Sequence, residues 1–250
     1  MKIKKTQAII VEENMANFLS TIPEILNGNS IKTIIELGAR DCINSVLLHK
    51  KFKQSKIYTF ECNPSTLKEC RNRVKNIPNV ELVEKAASNR NGVLTFYPID
   101  QEKSDKTKWA DGNPGASSVY KISKNYPDER LIQKEIQVPA IKLSTFISQK
   151  KITSIELLFM DIQGGELQAL RGLEDSISKV RISFTGPFAD MIFVNTKNKS
   201  HNAFLLKTRE RFLEILYPQL AFHAYMIAKK FVFYKQLMKS LRFLYGILKR

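Results

Sequence analysis

The chain has 250 residues, of which 43% are hydrophobic, so it is long and apolar enough to bury a sizeable core. It carries a formal net charge of +16, and seven of its lysines and arginines lie in the last thirty residues, which contain no acid. No run of about 18 apolar residues occurs, which argues against a spanning helix. The basic start is followed by an apolar stretch too short for an export signal, so we expect a cytoplasmic protein.

Cysteines and histidines give no sign of a disulfide framework or a metal centre. The three cysteines are an odd number without C-x-x-C spacing, which is typical of a reducing compartment, and we interpret them as buried or incidental rather than reactive. The three histidines are scattered without the spacing of metal ligands. We therefore expect no metal.

Strand and helix patterns alternate through the first 90 residues. Residues 12–26 have helical spacing, a β-branched run follows at 32–37, and a helical pattern continues to residue 52. A second strand is predicted at 56–61, a helix opening with Asn63 and Pro64 follows, and a third strand at 80–84 reaches Ser88. This order predicts an α/β fold with a doubly wound, mostly parallel sheet and helices on both faces.

The second half begins with a change of pattern. A strand at 93–97 precedes a polar connection at 100–128, which contains the only tryptophan, Trp109, and is either a surface loop or a lid over a site. Further strands are predicted at 136–141, 155–161 and 180–185, with helices at 143–149 and after residue 166. We expect a helical lead at 1–30, the main domain at 31–190 with an insertion at 100–130, and a basic, mainly helical tail at 191–250.

Three predicted strands end in acids, namely Glu36, Glu61 and Asp161. Because the carboxyl ends of parallel strands share one edge of a sheet, these side chains are expected at one rim, where ligands of open α/β sheets bind. Glu61 follows Glu36 by 25 residues, about the separation expected of an acid that accepts hydrogen bonds from ribose hydroxyls. The set predicts a nucleoside-containing ligand.

The first turn after Glu36 discriminates between such ligands. It offers Gly38 but no G-x-G-x-x-G fingerprint, which disfavours a dehydrogenase. Glu36 and Asp41 would also repel a pyrophosphate, whereas the sulfonium and amino groups of S-adenosylmethionine are cationic. This turn therefore favours S-adenosylmethionine as the cofactor.

Five motifs follow one another in the order that one known family shows. They are I-E-L-G-A-R at 35–40, F-E-C-N-P at 60–64, A-A-S-N-R-N-G at 86–92, G-A-S-S at 115–118 and M-D-I-Q-G-G-E at 160–166. Over residues 30–185 the chain resembles the FkbM family of S-adenosylmethionine-dependent methyltransferases. The resemblance implies a Rossmann-like methyltransferase sheet and methylation of a hydroxyl on a sugar or secondary metabolite.

The resemblance also implies a cofactor site. Glu36 and Gly38 would line the methionine end, Glu61 would hold the ribose, and Ala86 with Ser88 would lie near the adenine. The whole cofactor set expected is Glu36, Gly38, Ala39, Arg40, Asp41, Glu61, Cys62, Asn63, Ala86, Ser88 and Asp161. The family usually has a second glycine in the first turn, where this chain has Cys42.

Asp161 and Glu166 are the expected catalytic residues. Transfer to a hydroxyl needs the acceptor oxygen in line with the methyl group and a base for its proton, and we expect Asp161 nearest the reacting centre. The alternatives are that Asp161 caps a helix and that Glu166 complements a helix dipole. The family motif is more often D-x-E-G-x-E, so Gln163 stands in place of one acid.

The tail and the region after Thr185 leave alternatives open. Basic residues at helical spacing among Phe and Leu in 221–250 predict either a helix on an anionic membrane surface or one packed on its own domain or a partner subunit. No module for specific nucleic-acid binding is present. The favoured function is O-methylation of a saccharide or glycoconjugate. The alternative is a noncatalytic or catalytically impaired methyltransferase-like binding protein at a membrane surface, because the chain departs from the family after Thr185.

Overall fold

The computed structural model describes Leu19 and residues 31–104, 112–122, 131–185 and 192–194. For residues 182–185 and 192–194 it describes the backbone alone. All of these residues fall within Met1–Asn195. Of the predicted leading helix only Leu19 is described, and it is helical and buried. Trp109 and the predicted tail, apart from 192–194, lie outside the described residues.

The described secondary structure alternates strands and helices, as the sequence predicts. The strands are β1 (Thr33–Leu37), β2 (Lys56–Phe60), β3 (Val80–Val83), β4 (Ala86–Ser88), β5 (Gly92–Phe96), β6 (Ile136–Lys142), β7 (Ile155–Met160), β8 (Val180–Thr185) and β9 (Ile192–Val194). The helices are α1 (Ile43–Lys51), α2 (Pro64–Val74), α3 (Leu143–Gln149) and α4 (Glu166–Arg171), with short 3₁₀ turns at Pro114–Ala116 and Glu174–Lys179.

The main sheet has the strand order β3-β2-β1-β7-β8-β9. Its first five strands are parallel and β9 pairs with β8 in the antiparallel sense. β1 and β7 are central and almost wholly buried, which explains their continuous apolar sequences. The doubly wound, mostly parallel fold predicted from the sequence is confirmed.

Alternate residues of the central strands pack against helices on opposite faces of the sheet. Ile35, Leu37 and Leu158 belong to a buried cluster with Phe146 of α3 and Ala169 of α4. On the other face, Ser45 of α1 donates a hydrogen bond to Glu36 of β1 at 2.5 Å. Both layers of helices therefore hold the carboxyl ends of β1, β2 and β7 in fixed register.

Two features of the strands differ from the prediction. The run predicted as a single strand from Val80 to Ser88 is two strands, because the chain bends where the Lys85 amide donates to the Val83 carbonyl at 2.9 Å. β3 stays in the main sheet, whereas β4 joins a second sheet of order β4-β6-β5. The edge strand β9 was not predicted. The second sheet thereby brings β4 beside the carboxyl edge of the main one.

Candidate active site

A cavity of about 600 Å³ opens at the carboxyl edge of the main sheet. Five segments supply most of the residues around it. They are the turn after β1, the turn after β2, strand β4 with its approach, the 3₁₀ turn at Pro114–Ala116 with the residues that follow, and the residues after β7. Among the lining residues are Gly38, Arg40, Glu61, Cys62, Asn63, Ala86, Ser117 and Asp161.

Gly38 makes the close packing of two of these segments feasible. Its φ is +85°, and a Cβ at this position would lie 2.0 Å from the Asp161 carbonyl oxygen. The Gly38 and Ala39 amides both donate to the Phe60 carbonyl at 3.0 Å, and the Asp161 amide donates to the Leu37 carbonyl at 2.9 Å. Only a glycine fits where the turn passes this close to β7.

The turn continues through two further residues in the left-handed region. Arg40 has φ +54° and Cys42 has φ +60°, and Cys42 is fully buried. Cys42 occupies the position at which the family usually has glycine, and it adopts the backbone conformation that glycine favours. The turn therefore keeps a left-handed geometry without the second glycine.

Glu61 is the most firmly held carboxylate of the cavity. Its Oε1 accepts hydrogen bonds from the Cys62 and Asn63 amides at 2.8 and 2.7 Å, and its Oε2 accepts one from the Arg40 amide at 2.7 Å. The side chain is 8% exposed. Burial raises the pKa of Glu61, and these three backbone donors oppose that rise. The turn after β1 and the turn after β2 are thus joined through one carboxylate.

Asn63 fixes the start of the helix that follows Glu61. Its side-chain oxygen accepts a hydrogen bond from the Ser65 amide at 3.1 Å, and Pro64 occupies the first helical position of α2. Its Nδ2 donates to Ser117 Oγ at 3.2 Å. The helix start predicted at Asn63 and Pro64 is confirmed, and the same side chain contacts the segment across the cavity.

Asp161 lies directly after β7 and faces the same cavity as Glu61. Its Oδ1 accepts a hydrogen bond from Gln163 Nε2 at 2.6 Å. Burial raises the pKa of Asp161, the Gln163 amide lowers it, the Glu166 carboxylate raises it and the Arg40 guanidinium lowers it. Asp161 is therefore a half-buried acid with one neutral donor and two charged neighbours.

Glu166, the second expected catalytic residue, does not line the cavity. Its Oε1 accepts a hydrogen bond from the Ile162 amide at 3.0 Å, and it stands in the first turn of α4. This geometry matches the alternative interpretation, in which a first-turn carboxylate stabilises the start of a helix. The negative charge of Glu166 nevertheless raises the pKa of Asp161.

Glu36 is also absent from the cavity lining. Ser45 Oγ and Thr59 Oγ1 donate to its Oε2 at 2.5 and 2.6 Å, and its buried Oε1 has no hydrogen-bond partner among the described residues. Burial raises the pKa of Glu36 to about 7, although both hydroxyl donors lower it. The expectation that Glu36 shares a rim with Glu61 and Asp161 is therefore corrected: its carboxylate lies beneath α1.

Three other residues of the expected cofactor set lie outside the lining. Ala39 is buried, and Ser88 is buried at the end of β4. Asp41 Oδ1 accepts a hydrogen bond from the Ile43 amide at 3.2 Å, at the start of α1. These side chains support the turns that shape the cavity, whereas Gly38, Arg40, Glu61, Cys62, Asn63, Ala86 and Asp161 are brought together around it.

The segment from Asn113 to Tyr120 crosses the carboxyl edge between the turns after β2 and β7. Ser117 Oγ accepts from Asn63 Nδ2 and, at 3.0 Å, from the Ile99 amide. Ser118 Oγ donates to the Gln163 carbonyl at 2.7 Å. No role was predicted for either serine, although both belong to the G-A-S-S motif. Lys85 and Phe96 also line the cavity, and no sequence signal marked them.

The cysteine of the cavity is a poor nucleophile. Burial and the nearby Glu61 charge raise the pKa of the Cys62 thiol. No group of three or more His, Cys, Asp or Glu side chains among the described residues is arranged to hold a metal ion. Within the same residues, no helix combines the length and the apolar character needed to cross a bilayer.

Comparison with known proteins identifies the family. Residues 36–245 match the Methyltransferase FkbM domain. The chain is 25% identical over 155 residues to the 2-O-methyltransferase NoeI of Sinorhizobium fredii (strain NBRC 101917 / NGR234), an alignment that covers 61% of either protein. It is 27% identical over 149 residues to Methyltransferase 1 of Beauveria bassiana (strain ARSEF 2860), which covers 57% of this chain and 58% of the relative.

The chain thus spans about three fifths of the length of these curated relatives. The domain match is much longer than either alignment and includes every segment that lines the cavity. The chain therefore belongs to the FkbM methyltransferase family.

Proposed function

We propose that this protein is an S-adenosylmethionine-dependent O-methyltransferase whose acceptor is a hydroxyl of a saccharide or glycoconjugate. One observation carries the proposal. Glu61 follows β2 and Asp161 follows β7, the two strands that pair with β1, and both acids line a single cavity at the carboxyl edge of the sheet. Family membership supports the same reaction class.

The residues of the cavity fit the cofactor. Glu61 Oε1 already accepts two backbone donors and Oε2 accepts one, so Oε2 retains a lone pair for a ribose hydroxyl. Ala86 and Phe96 offer apolar surface for a base. Glu61 and Asp161 place two carboxylates at this cavity, which suits the cationic sulfonium and amino groups of S-adenosylmethionine.

Asp161 is the proposed general base. When bound, S-adenosylmethionine supplies an electrophilic methyl group. Asp161 would accept the proton of the acceptor hydroxyl through its carboxylate as the oxygen bonds to the methyl carbon, while the carbon–sulfur bond would break and neutral S-adenosylhomocysteine would leave. Burial raises the pKa of Asp161, so its ionised form is a stronger base than an exposed aspartate.

The acceptor class is supported by similarity alone. The relative NoeI is named as a 2-O-methyltransferase, which supports oxygen as the methylated atom. The resemblance to the FkbM family implies a sugar or secondary-metabolite hydroxyl. We therefore choose monosaccharides and their methyl glycosides as the first acceptors to test.

The test is a calorimetric titration of the protein with S-adenosylmethionine. We expect Glu61→Gln to weaken binding about 100-fold, because it removes charge-assisted hydrogen bonds worth roughly 1.5–3 kcal/mol each. Glu84→Gln is the matched control, since Glu84 is an exposed partner of Arg71. Unfolding curves check that both variants are folded.

Release of S-adenosylhomocysteine in the presence of the glycosides then tests transfer. Binding that is absent in the wild-type protein, or equal in Glu61→Gln and Glu84→Gln, would overturn the proposed cofactor site. Binding without any acceptor-dependent release would favour the noncatalytic alternative over the enzyme.

A further inference from the structure

A short hydrogen-bonded relay leads from the segment above the cavity to Asp161. Ser118 Oγ donates to the main-chain carbonyl of Gln163 at 2.7 Å. Gln163 Nε2 in turn donates to Asp161 Oδ1 at 2.6 Å. Gln163 is not among the residues that line the cavity, and its side chain contacts the lining through the hydrogen bond to Asp161.

Gln163 holds this position in a conformation that its residue type rarely adopts. Its φ is +52°, and Gly164 follows with φ +96°. A non-glycine residue in the left-handed region costs about 1–2 kcal/mol, so the surroundings must hold it there. The hydroxyl of Ser118 holds Gln163 in this conformation through its hydrogen bond to the Gln163 carbonyl. The Tyr120 amide in turn fixes that hydroxyl through a hydrogen bond of 3.0 Å.

We propose that Gln163 is a positioning residue that keeps Asp161 ionised and aimed into the cavity, and that Ser118 holds Gln163 in place. The proposal rests on the proposed function, in which Asp161 is the general base. An amide is suited to this role because Nε2 donates a hydrogen bond to a carboxylate without adding a charge.

The charges that face Asp161 come from several elements. Arg40, in the turn after β1, favours the ionised form, and Glu166, at the start of α4, opposes it. Glu61 and Lys85 line the same cavity with opposite charges. The hydrogen bond from the neutral Gln163 side chain is thus one of several influences on the titration of Asp161. Substitution of Gln163 alone measures it separately from those charges.

The experiment follows the carboxyl carbon of Asp161 by NMR in protein labelled with ¹³C-aspartate, with Asp161→Asn used for assignment. In Gln163→Leu we expect the Asp161 midpoint to rise by about one pH unit, because the donor that favours the ionised form is lost. Gln137→Leu is the matched control, since Gln137 lies on β6 and donates to Thr95 Oγ1 at 3.0 Å. It should leave the midpoint unchanged.

Two further variants keep the result readable if the leucine disturbs folding. Gln163→Glu preserves the shape of the side chain and adds a negative charge, so it should raise the Asp161 midpoint further than Gln163→Leu. Ser118→Ala should raise it less, because it releases Gln163 without removing the amide. In turnover assays the acidic limb of kcat/KM should move with the midpoint, while KM for S-adenosylmethionine stays unchanged.

An Asp161 midpoint that is the same in wild-type protein, Gln163→Leu and Gln163→Glu would overturn the proposal. The titration uses the protein without cofactor or acceptor. A protein that fails to bind S-adenosylmethionine would therefore end the proposed function but would leave this measurement valid.

Discussion

Glu36 lies near the end of β1 and Glu61 directly follows β2, the parallel strand beside it, yet the surroundings of the two carboxylates differ. Glu61 accepts three backbone hydrogen bonds and faces the cavity. Glu36 accepts two side-chain hydroxyl donors and keeps one oxygen buried beneath α1, without a hydrogen-bond partner in the part of the chain that the structure describes. Glu61 is surrounded by the turns that line the cavity, whereas Glu36 is covered by a helix that packs on the sheet.

The register of the sheet explains the difference. Leu37 pairs with Phe60 on one side and with Met160 on the other. Glu61 and Asp161 therefore both stand one residue beyond the paired ends, whereas Glu36 stands two residues deeper than that level, or about 7 Å. Depth in the strand, rather than residue type, decides which carboxylate reaches the cavity.

The largest effect is expected at Asp161. Asp161→Asn keeps the shape of the side chain but cannot accept the proton, so kcat should fall by about 10²–10⁴-fold. Asp175→Asn, in the 3₁₀ turn at Glu174–Lys179, is the control. Equal kcat in the two variants would remove Asp161 from the chemistry.

The second effect concerns the turn that joins the two carboxylates of the cavity. Gly38→Ala should lower the free energy of unfolding by about 4 kcal/mol, because a Cβ would lie 2.0 Å from the Asp161 carbonyl oxygen and φ is +85°. Gly92→Ala is the control. Its φ is +110° with nothing within 4 Å, so it should cost only about 1 kcal/mol. Denaturant unfolding measures both, and similar losses would contradict the close contact.

The third prediction concerns the carboxylate beneath α1. Burial raises the pKa of Glu36 from 4.5 to about 7. Its contribution to stability is therefore full below about pH 4.5 and is lost as the pH rises through 7, a fall of about 3 kcal/mol. Glu36→Gln should remove that fall from the curve of unfolding free energy against pH. The exposed Glu135→Gln should leave it, and a persistent fall in Glu36→Gln would refute the assignment.

The smallest effect is expected at the cap of α2. Asn63→Ala should lower stability by about 1 kcal/mol, because it removes the acceptor for the Ser65 amide. Lys75→Ala at the other end of α2 should change little, since the cap there uses the Lys75 backbone amide. Thermal unfolding distinguishes the two, and equal shifts would argue against the cap.

Much of the fold follows from local pattern. The helix Leu143–Gln149 and the strand Val180–Thr185 have the bounds predicted from the sequence, because the first has apolar residues at helical spacing and the second alternates apolar with polar residues. The division between β3 and β4 was not predictable in the same way. The sequence is strand-like both before and after Lys85, so it does not show that the chain passes from one sheet to the other after Val83. The strand that pairs with β4 is β6, which comes some fifty residues later.

The site was predictable only to the level of strand ends. The sequence marks Glu61 and Asp161 as acids after buried strands, and it marks Glu36 in the same way. Pairing register lies outside any local pattern, so the depth of Glu36 required the structure. The relay through Ser118 and Gln163 joins residues 45 positions apart and was equally hidden.

The most direct test of the account compares two nucleoside ligands at one site. Calorimetry should show that S-adenosylmethionine binds the wild-type protein and that NAD⁺, which carries a pyrophosphate, does not displace it. This outcome is expected because the turn after β1 lacks the G-x-G-x-x-G fingerprint that seats a pyrophosphate, while Glu61 and Asp161 present carboxylates to the cavity. Displacement by NAD⁺ at similar concentration, or no binding of S-adenosylmethionine at all, would contradict the account.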